Sequence, residues 1–328
     1  MKLAQLVKLL DYVSRYENDL SRYPTQFVRL KSSQWDRMKL QWENGMDLSE
    51  WQRESGEEEA QREESRWFSP ILRVFGSKKD SATDQEEHAS EQQEEREADS
   101  FGFNPNIIYN PKNVEQLRKL YVDQLFHFQL KWASSTLMEH SKLDEQFMRD
   151  SLLRSFTQLL PDSYLLFYYP ILKLKKAPVE LDILIMTPLE CICVTVLEKE
   201  EVAAFIGNSD RFWIKKHGDR ESKVLNPMIG LQRMEKIISG IFSANDIEFP
   251  IRKVILSRNG YIDYPGVPYD TKIVDRRSYD EWFANLRKVS VPMKHNQFKA
   301  AQAILDNGQT TASSIYFAPE QENNDIIE

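Results

Sequence analysis

Apolar residues at helical spacing mark the first part of the chain. Over residues 3–20 this spacing predicts an amphipathic helix, and its apolar positions are Leu3, Leu6, Leu10, Val13 and Leu20. A second helix is predicted from Pro24, a residue that fits a first helical turn, and its apolar positions are Phe27, Leu30, Trp35, Met38 and Trp42. We therefore expect an N-terminal helical hairpin over residues 1–52, packed on the rest of the protein or on another chain.

The pattern is lost over residues 53–103, where Glu, Gln, Ser and Asp dominate. Such a segment buries too little apolar surface to offset its loss of chain entropy, so we expect a disordered acidic tether. One apolar stretch interrupts it, WFSPILRVFG at residues 67–76, and its candidate contact residues are Trp67, Phe68, Ile71, Leu72 and Phe75. As a short helix, this stretch would dock in a groove of a protein partner or fold back onto its own chain.

Regular patterning resumes after the tether. Residues 104–142 predict one long helix that packs with the N-terminal hairpin, so that the tether interrupts a single helical region. Over residues 143–290 the order is a helix at about residues 143–160, three strands of which the first begins at Tyr164, and then a helix, a strand and a helix. This order is typical of an α/β layer fold. A C-terminal helix and a frayed acidic tail are expected over residues 291–328.

Composition and charge restrict the classes of function. The 328 residues carry a formal net charge of −8, so nucleic-acid contact would need a local basic patch. Lys8 and Asp11 interrupt the N-terminal apolar run, and no uncharged run reaches the roughly 18 residues that span a bilayer. We therefore expect a cytoplasmic protein. Cys191 and Cys193, two apart on one predicted strand, are expected to be buried thiols.

Several motifs within residues 143–290 occur in the order and spacing of a known domain. They are LLPDSYLLFYY at the start of the first strand, ELDILIMTP on the next strand, FWIKK in mid-domain, and an Asn-Pro step at 226–227 that opens a helix. In these motifs the segment resembles the nuclease-related domain, NERD, which is widespread in bacteria and is a branch of the restriction-endonuclease-like PD-(D/E)XK superfamily. The resemblance covers less than half of the chain and implies a restriction-endonuclease-like α/β fold.

The resemblance also implies a metal-dependent centre. Such a centre uses carboxylates to hold a magnesium ion and a lysine to orient the attacking water. The family's Asp corresponds to Asp182, but its Glu and Lys correspond to Thr195 and Leu197, which cannot serve as those groups. The resemblance therefore implies a nuclease-like scaffold in which the cleavage chemistry is mostly lost.

Other carboxylates are candidates to replace the missing groups. Glu198 follows the second strand, and only a bulge would aim it toward Asp182. Glu145 and Asp150, on the preceding predicted helix, are candidate ligands for magnesium or solvated helix positions. The cofactor is accordingly expected to be none, or magnesium if the site is active.

The most basic stretch of the α/β region is RFWIKKHGDRESK. Its candidate nucleic-acid contacts, cations with an aromatic ring between them, are Arg211, Trp213, Lys215, Lys216 and Lys223. The alternative is an ordinary charged hairpin.

Three hypotheses follow. The first is a catalytically degenerate nuclease-related protein that binds nucleic acid or a protein partner. The second is an active magnesium-dependent nuclease that uses Asp182 and Glu198, with Glu145 or Asp150 as a candidate further ligand. The third is a protein-interaction adaptor that recruits a partner through residues 67–76.

Overall fold

The structure is a computed structural model that describes residues 2–45, 111–136, 138–175, 177–198, 202–289 and 291–314. The acidic segment predicted over residues 53–103, its apolar stretch at 67–76 and most of the predicted acidic tail lie outside the described residues. None of the helices in the described part combines the length and the apolar character needed to cross a membrane.

Helices and mixed sheets make up an α/β protein. Within the described residues the helices are α1 (Tyr23–Glu43), α2 (Val114–Trp132), α3 (Gln146–Arg149), α4 (Ser151–Leu159), α5 (Pro227–Ala244), α6 (Tyr279–Lys288) and α7 (His295–Asp306). The strands of the first half are β1 (Gln5–Leu9), β2 (Glu139–His140), β3 (Leu165–Tyr168), β4 (Ile171–Lys173), β5 (Pro178–Glu180), β6 (Ile183–Met186) and β7 (Cys191–Val196). The remaining strands are β8 (Ala204–Ile206), β9 (Phe212–His217), β10 (Arg220–Leu225), β11 (Ile251–Leu256), β12 (Tyr261–Asp263), β13 (Thr271–Val274) and β14 (Ser313–Ser314).

The main sheet has six strands in the order β1-β3-β6-β7-β11-β13. Its middle, β3-β6-β7, is antiparallel, and the pairs β1-β3, β7-β11 and β11-β13 are parallel. The residues of β3 and β6 are all buried, as expected for strands covered on both faces. Helix α4 packs against β3, and α5 packs against β7 and β11. This sheet positions the candidate site.

A smaller sheet has the order β10-β9-β8-β12. Strands β9 and β10 form a hairpin whose two-residue loop contains Gly218, at φ +55°. Such a left-handed backbone suits glycine and matches the twist of a tight hairpin. Further short pairs are β4-β5 and β2-β14.

The chain separates into two compact units. The first comprises Met1–Pro24 and Gln129–Glu328, and the second comprises Thr25–Phe128. In the second unit the Tyr121 hydroxyl donates to the Lys31 carbonyl at 2.7 Å, and the Trp42 indole N–H donates to the Pro111 carbonyl at 2.9 Å. These bonds join α1 to the α2 segment across the gap in the described residues.

The helix predicted over residues 3–20 was wrong, so the hairpin predicted over residues 1–52 lacks its first helix. Gln5–Leu9 form a strand that pairs in parallel with β3, and all five of its residues are buried. A short apolar run fits a buried strand as well as a helix, and only the pairing partner decides. Leu10, at φ +47°, ends the strand and turns the chain.

Two other predicted elements are interrupted. The helix predicted over residues 143–160 breaks at Asp150, whose extended backbone separates α3 from α4. The strand predicted from Tyr164 breaks at Tyr169-Pro170 into β3 and β4. Both interruptions matter because they lie at the candidate site. Cys191 and Cys193 are buried free thiols, as predicted.

Candidate functional site

The candidate site centres on a contact between two neighbouring strands. Asp182 precedes β6 and Thr195 lies in β7, and the register Ile183–Val194 places them side by side. The Thr195 hydroxyl donates to Asp182 Oδ2 at 2.5 Å. Burial raises the pKa of Asp182, while the Thr195 hydrogen bond and the charge of Arg233 lower it. Thr195, where the resemblance requires a Glu, is therefore a neutral donor to this carboxylate.

The position of the expected lysine carries no charge. Leu197 lies just beyond β7, and its backbone N–H donates to the Leu256 carbonyl at 2.7 Å. The pairing of β7 with β11 is regular from Cys191 to Val196, without a register shift before Glu198. Leu197 therefore continues the backbone pairing between β7 and β11 and places no positive charge beside Asp182.

Glu198 is held by an arginine. Arg258 donates from Nε to Oε1 at 2.7 Å and from Nη2 to Oε2 at 2.7 Å, and its backbone N–H donates to Oε1 at 2.8 Å. Burial lowers the pKa of Arg258, but the hydrogen bonds and charge of Glu198 outweigh it and raise that pKa. A bidentate pair of this kind is strong and directional, so both oxygens of Glu198 are engaged.

Asp150 has a structural role at the start of α4. Its Oδ1 accepts the backbone N–H groups of Leu152 and Leu153 at 2.9 and 3.0 Å. Its Oδ2 accepts the Tyr168 hydroxyl at 2.6 Å. Helix caps of this type satisfy backbone donors that would otherwise lack partners. Both oxygens of Asp150 are therefore engaged within the protein.

Glu145, the other candidate ligand on this segment, is a surface residue. Its side chain is 80% exposed and faces Arg149 at 3.8 Å, one helical turn away. Across the described ranges, no group of three or more His, Cys, Asp or Glu residues has an arrangement that could hold a metal ion. A magnesium ion is usually held by one or two carboxylates and several waters. At this site Glu198 and Asp150 are engaged by protein donors and Glu145 faces Arg149, so none of the three is arranged as a second carboxylate ligand beside Asp182.

Tyr169 lies at the centre of these carboxylates in a strained conformation. Its φ is +50°, a value that is costly for an aromatic residue, and its N–H donates to the Asp182 carbonyl at 3.1 Å. Burial raises the pKa of its hydroxyl to about 12, and the charges of Asp182, Asp150, Glu180 and Glu198 add to the rise. Tyr169 is therefore a neutral group among acids.

Sequence reasoning missed Arg258, Tyr168 and Tyr169. A break at Tyr169 had a local signal, because the residue before a proline is conformationally restricted. Arg258 had no local signal in the sequence. It lies 60 positions after Glu198, and only the parallel pairing of β7 and β11 brings the two residues together.

The basic stretch does not form one continuous surface. Trp213 is fully buried and its indole N–H donates to the Asn208 carbonyl at 3.0 Å, so its ring is not available for stacking. Lys216 and Lys223 lie on one face of the β9-β10 hairpin, and Lys215 lies on the other. Arg211 lies over the exposed ring of Phe212, with 5.6 Å from its Cζ to the ring centroid.

Opposite charges dilute this surface further. Lys216 pairs with Glu221 across the hairpin at 2.7 Å.

The candidate partner motif, Trp67, Phe68, Ile71, Leu72 and Phe75, lies outside the described residues.

Comparison with known proteins gives a short match. An RNA 2',3'-cyclic phosphodiesterase of Geobacillus stearothermophilus is 47% identical over 55 residues, which is 17% of this chain and 18% of that protein. The chain thus spans less than a fifth of the length of this relative. No family model matches the chain, and no solved structure matches it.

Proposed function

We propose that residues 143–290 form a nuclease-related, NERD-like domain that has lost cleavage, and that the protein acts by binding a nucleic acid or a protein partner. The order of elements supports a restriction-endonuclease-like core. Counting only the main sheet and the helices packed on it, and so leaving out β4, β5 and β8 to β10, helix α4 is followed by the antiparallel strands β3, β6 and β7, then by α5, and then by β11 in parallel with β7. That is the helix, three-strand, helix, strand order that the resemblance implies.

The hydrogen bond from Thr195 to Asp182 carries the proposal. A cleavage centre needs a second carboxylate at this point to hold the cation, and a lysine two residues later to polarise the attacking water. Here the Thr195 hydroxyl engages one oxygen of the single carboxylate, Asp182 Oδ2, at 2.5 Å, and Leu197 supplies no charge. The arrangement stabilises the strand pair β6-β7 without a metal.

The neighbouring carboxylates support the same conclusion. Glu198 is neutralised by Arg258, and Asp150 caps α4 and accepts the Tyr168 hydroxyl. If Glu198 turned away to bind a metal ion, the part-buried guanidinium of Arg258 would lose its partner. If Asp150 did so, the first N–H groups of α4 would lose their acceptor. The carboxylates at 150, 182 and 198 therefore act as hydrogen-bond acceptors that stabilise the fold.

RNA is the first nucleic acid to test as a ligand. The relative named above is described as acting on an RNA phosphodiester, although the match covers a small part of both chains. Lys216 and Lys223, exposed on one face of β9-β10, would contribute local positive charge on a chain whose formal net charge is −8. Binding should accordingly weaken as salt concentration rises.

A cleavage and binding assay tests the proposal. End-labelled RNA and DNA would be incubated with magnesium or manganese and with the wild-type protein, Asp182→Asn, or the double variant Thr195→Glu/Leu197→Lys. We expect wild type and Asp182→Asn to leave the nucleic acids intact and to bind RNA equally, because Asp182 is turned to Thr195. Metal-dependent cleavage by the wild type that Asp182→Asn abolishes would establish an active nuclease instead.

A further inference from the structure

The outer edge of β10 is an unusual feature of the smaller sheet. Strand β10 is the terminal strand in the order β10-β9-β8-β12, and within the described residues nothing pairs with its other side. Its register with β9 is regular over all six residues from Arg220 to Leu225, without a bulge. The stretch contains no proline. It therefore lacks two of the devices that commonly prevent edge strands from pairing.

The register shows which backbone groups face outward. The Asn226 N–H donates to the Arg211 carbonyl at 3.0 Å, and antiparallel residues alternate between bonding toward and away from the partner. Residues 220, 222 and 224, in phase with Asn226, therefore bond toward β9. The N–H and C=O groups of Glu221, Lys223 and Leu225 point to the open edge.

Side-chain charges on this edge are self-complementary. Glu221 and Lys223 lie on the same face of the sheet, two residues apart, with Ser222 between them. If a second β10 approached antiparallel with Ser222 opposite Ser222, each Glu221 would face the other copy's Lys223. Shifting the centre to Glu221 or Lys223 would instead oppose two like charges, which destabilises a cross-strand pair.

Exposed apolar side chains lie beside this edge. Leu225 and Phe212 are paired neighbours on the face that carries Glu221, and they are 53% and 45% exposed. Ile214 and Ile206 continue the same face inward along the sheet. Pairing through β10 would join the apolar faces of two copies in one continuous sheet.

We propose that this chain forms a symmetric dimer by antiparallel pairing of β10 with β10 of a second copy, centred on Ser222. The contact uses one surface patch twice, as a two-fold interface requires. Outward N–H and C=O groups of Glu221 and Lys223 bond reciprocally, and two Glu221–Lys223 ion pairs set the register. The pairing is independent of whether the Asp182 centre cleaves nucleic acid.

Nucleic acid is the less favoured occupant of the open edge of β10; the RNA contact proposed above concerns the face of the sheet and not this edge. Lys216 and Lys223 are offset by Glu221 and Asp263, and the ring best suited to stacking, Trp213, is buried. The alternation of opposite charges suits an identical strand better than a phosphate backbone.

Charge reversal provides the test. Sedimentation velocity of the full chain over a range of concentrations should show a monomer–dimer equilibrium. Glu221→Lys and Lys223→Glu should each weaken it roughly tenfold or more, because both ion pairs become repulsive. An equimolar mixture of the two variants should associate again, and so should the double variant Glu221→Lys/Lys223→Glu. Glu221→Lys also removes the Lys216–Glu221 pair within one copy. Lys223→Glu leaves that pair intact, so a weaker dimer in this variant cannot be due to loss of the pair.

A cysteine placed at the axis fixes the register independently. Residues 222 of the two copies would form a pair without mutual backbone bonds, in which Cα atoms are about 4.5 Å apart and a disulfide can form. Under mild oxidation Ser222→Cys should form a covalent dimer, whereas Glu248→Cys, an exposed position outside the sheet, should not. The native cysteines are buried.

Several results would overturn the proposal. They are a monomeric wild type at every concentration, a dimer that ignores both charge reversals, and equal crosslinking of the two cysteine variants. A monomer that binds RNA more weakly after Lys223→Glu would assign the face to nucleic acid instead.

Discussion

Individual side chains show how the carboxylates of the candidate site are held within the protein. At the residue scale the central contact is the hydrogen bond that the Thr195 hydroxyl donates to Asp182. Under the function proposed above, this hydroxyl stands where a cleavage centre would have a second carboxylate. The sequence was sufficient to identify Asp182, Thr195 and Leu197 as the positions to examine. It was not sufficient to find Arg258, which neutralises Glu198 from a distant strand end.

The pKa of Asp182 predicts a pH effect at this scale. Because burial raises that pKa in the folded state, the folded protein binds a proton more tightly than the unfolded chain. The contribution of Asp182 to stability is therefore greatest below its unfolded pKa and falls as pH rises through its folded pKa. Asp182→Asn should become progressively more stable relative to wild type over that interval, as measured by urea unfolding.

The control is Glu145→Gln, which removes one negative charge from an exposed position. A stability of Asp182→Asn, relative to wild type, that stays constant or falls as pH rises would contradict the pKa shift.

At the scale of helices and strands, hydrophobic periodicity predicts some elements of the fold and misses others. The periodicity of α2 and α5 and the alternation of strand and turn through β6 and β7 were readable from local sequence. The strand β1 was not, because its five buried residues suit a helix until the parallel partner β3 is known. The break between α3 and α4 was also hidden, since it depends on the cap formed by Asp150 and on the bond from Tyr168.

The cap on α4 predicts a stability effect. Asp150→Ala should lower the free energy of unfolding by about 2 kcal/mol, since it removes a helix cap and leaves the Tyr168 hydroxyl without its acceptor. Tyr168→Phe should cost less, because the cap remains. Denaturant unfolding of both single variants and the double variant measures the coupling.

Additive losses in the double variant would contradict the coupling between Asp150 and Tyr168. A wild-type unfolding midpoint that magnesium raises, with no such rise in Asp150→Ala, would assign Asp150 to a metal site instead.

At the scale of the whole molecule, the described part of the chain combines a six-stranded mixed sheet with a four-stranded sheet, and α1 and α2 lie largely in a second compact unit. The α/β class followed from sequence because it depends on local periodicity. The predicted order of elements in residues 143–290 was incomplete, since it missed β8, β10 and β12 and the interruptions of the first helix and the first strand. The pairing of β1 into the main sheet and the four-stranded sheet did not follow from sequence, since strand neighbours are set by contacts between distant segments. A formal net charge of −8 is consistent with binding through a local surface only.

The most direct test of the account is calorimetric titration of the full chain with magnesium and manganese. Wild type and Asp182→Asn should give the same background heat, because Thr195 already engages Oδ2 of Asp182 and Arg258 engages both oxygens of Glu198. Thr195→Glu/Leu197→Lys, checked for folding by circular dichroism, should gain a binding isotherm and so show that the scaffold can hold a cation. Micromolar binding by wild type that Asp182→Asn removes would mean a working metal centre and would contradict the loss of cleavage.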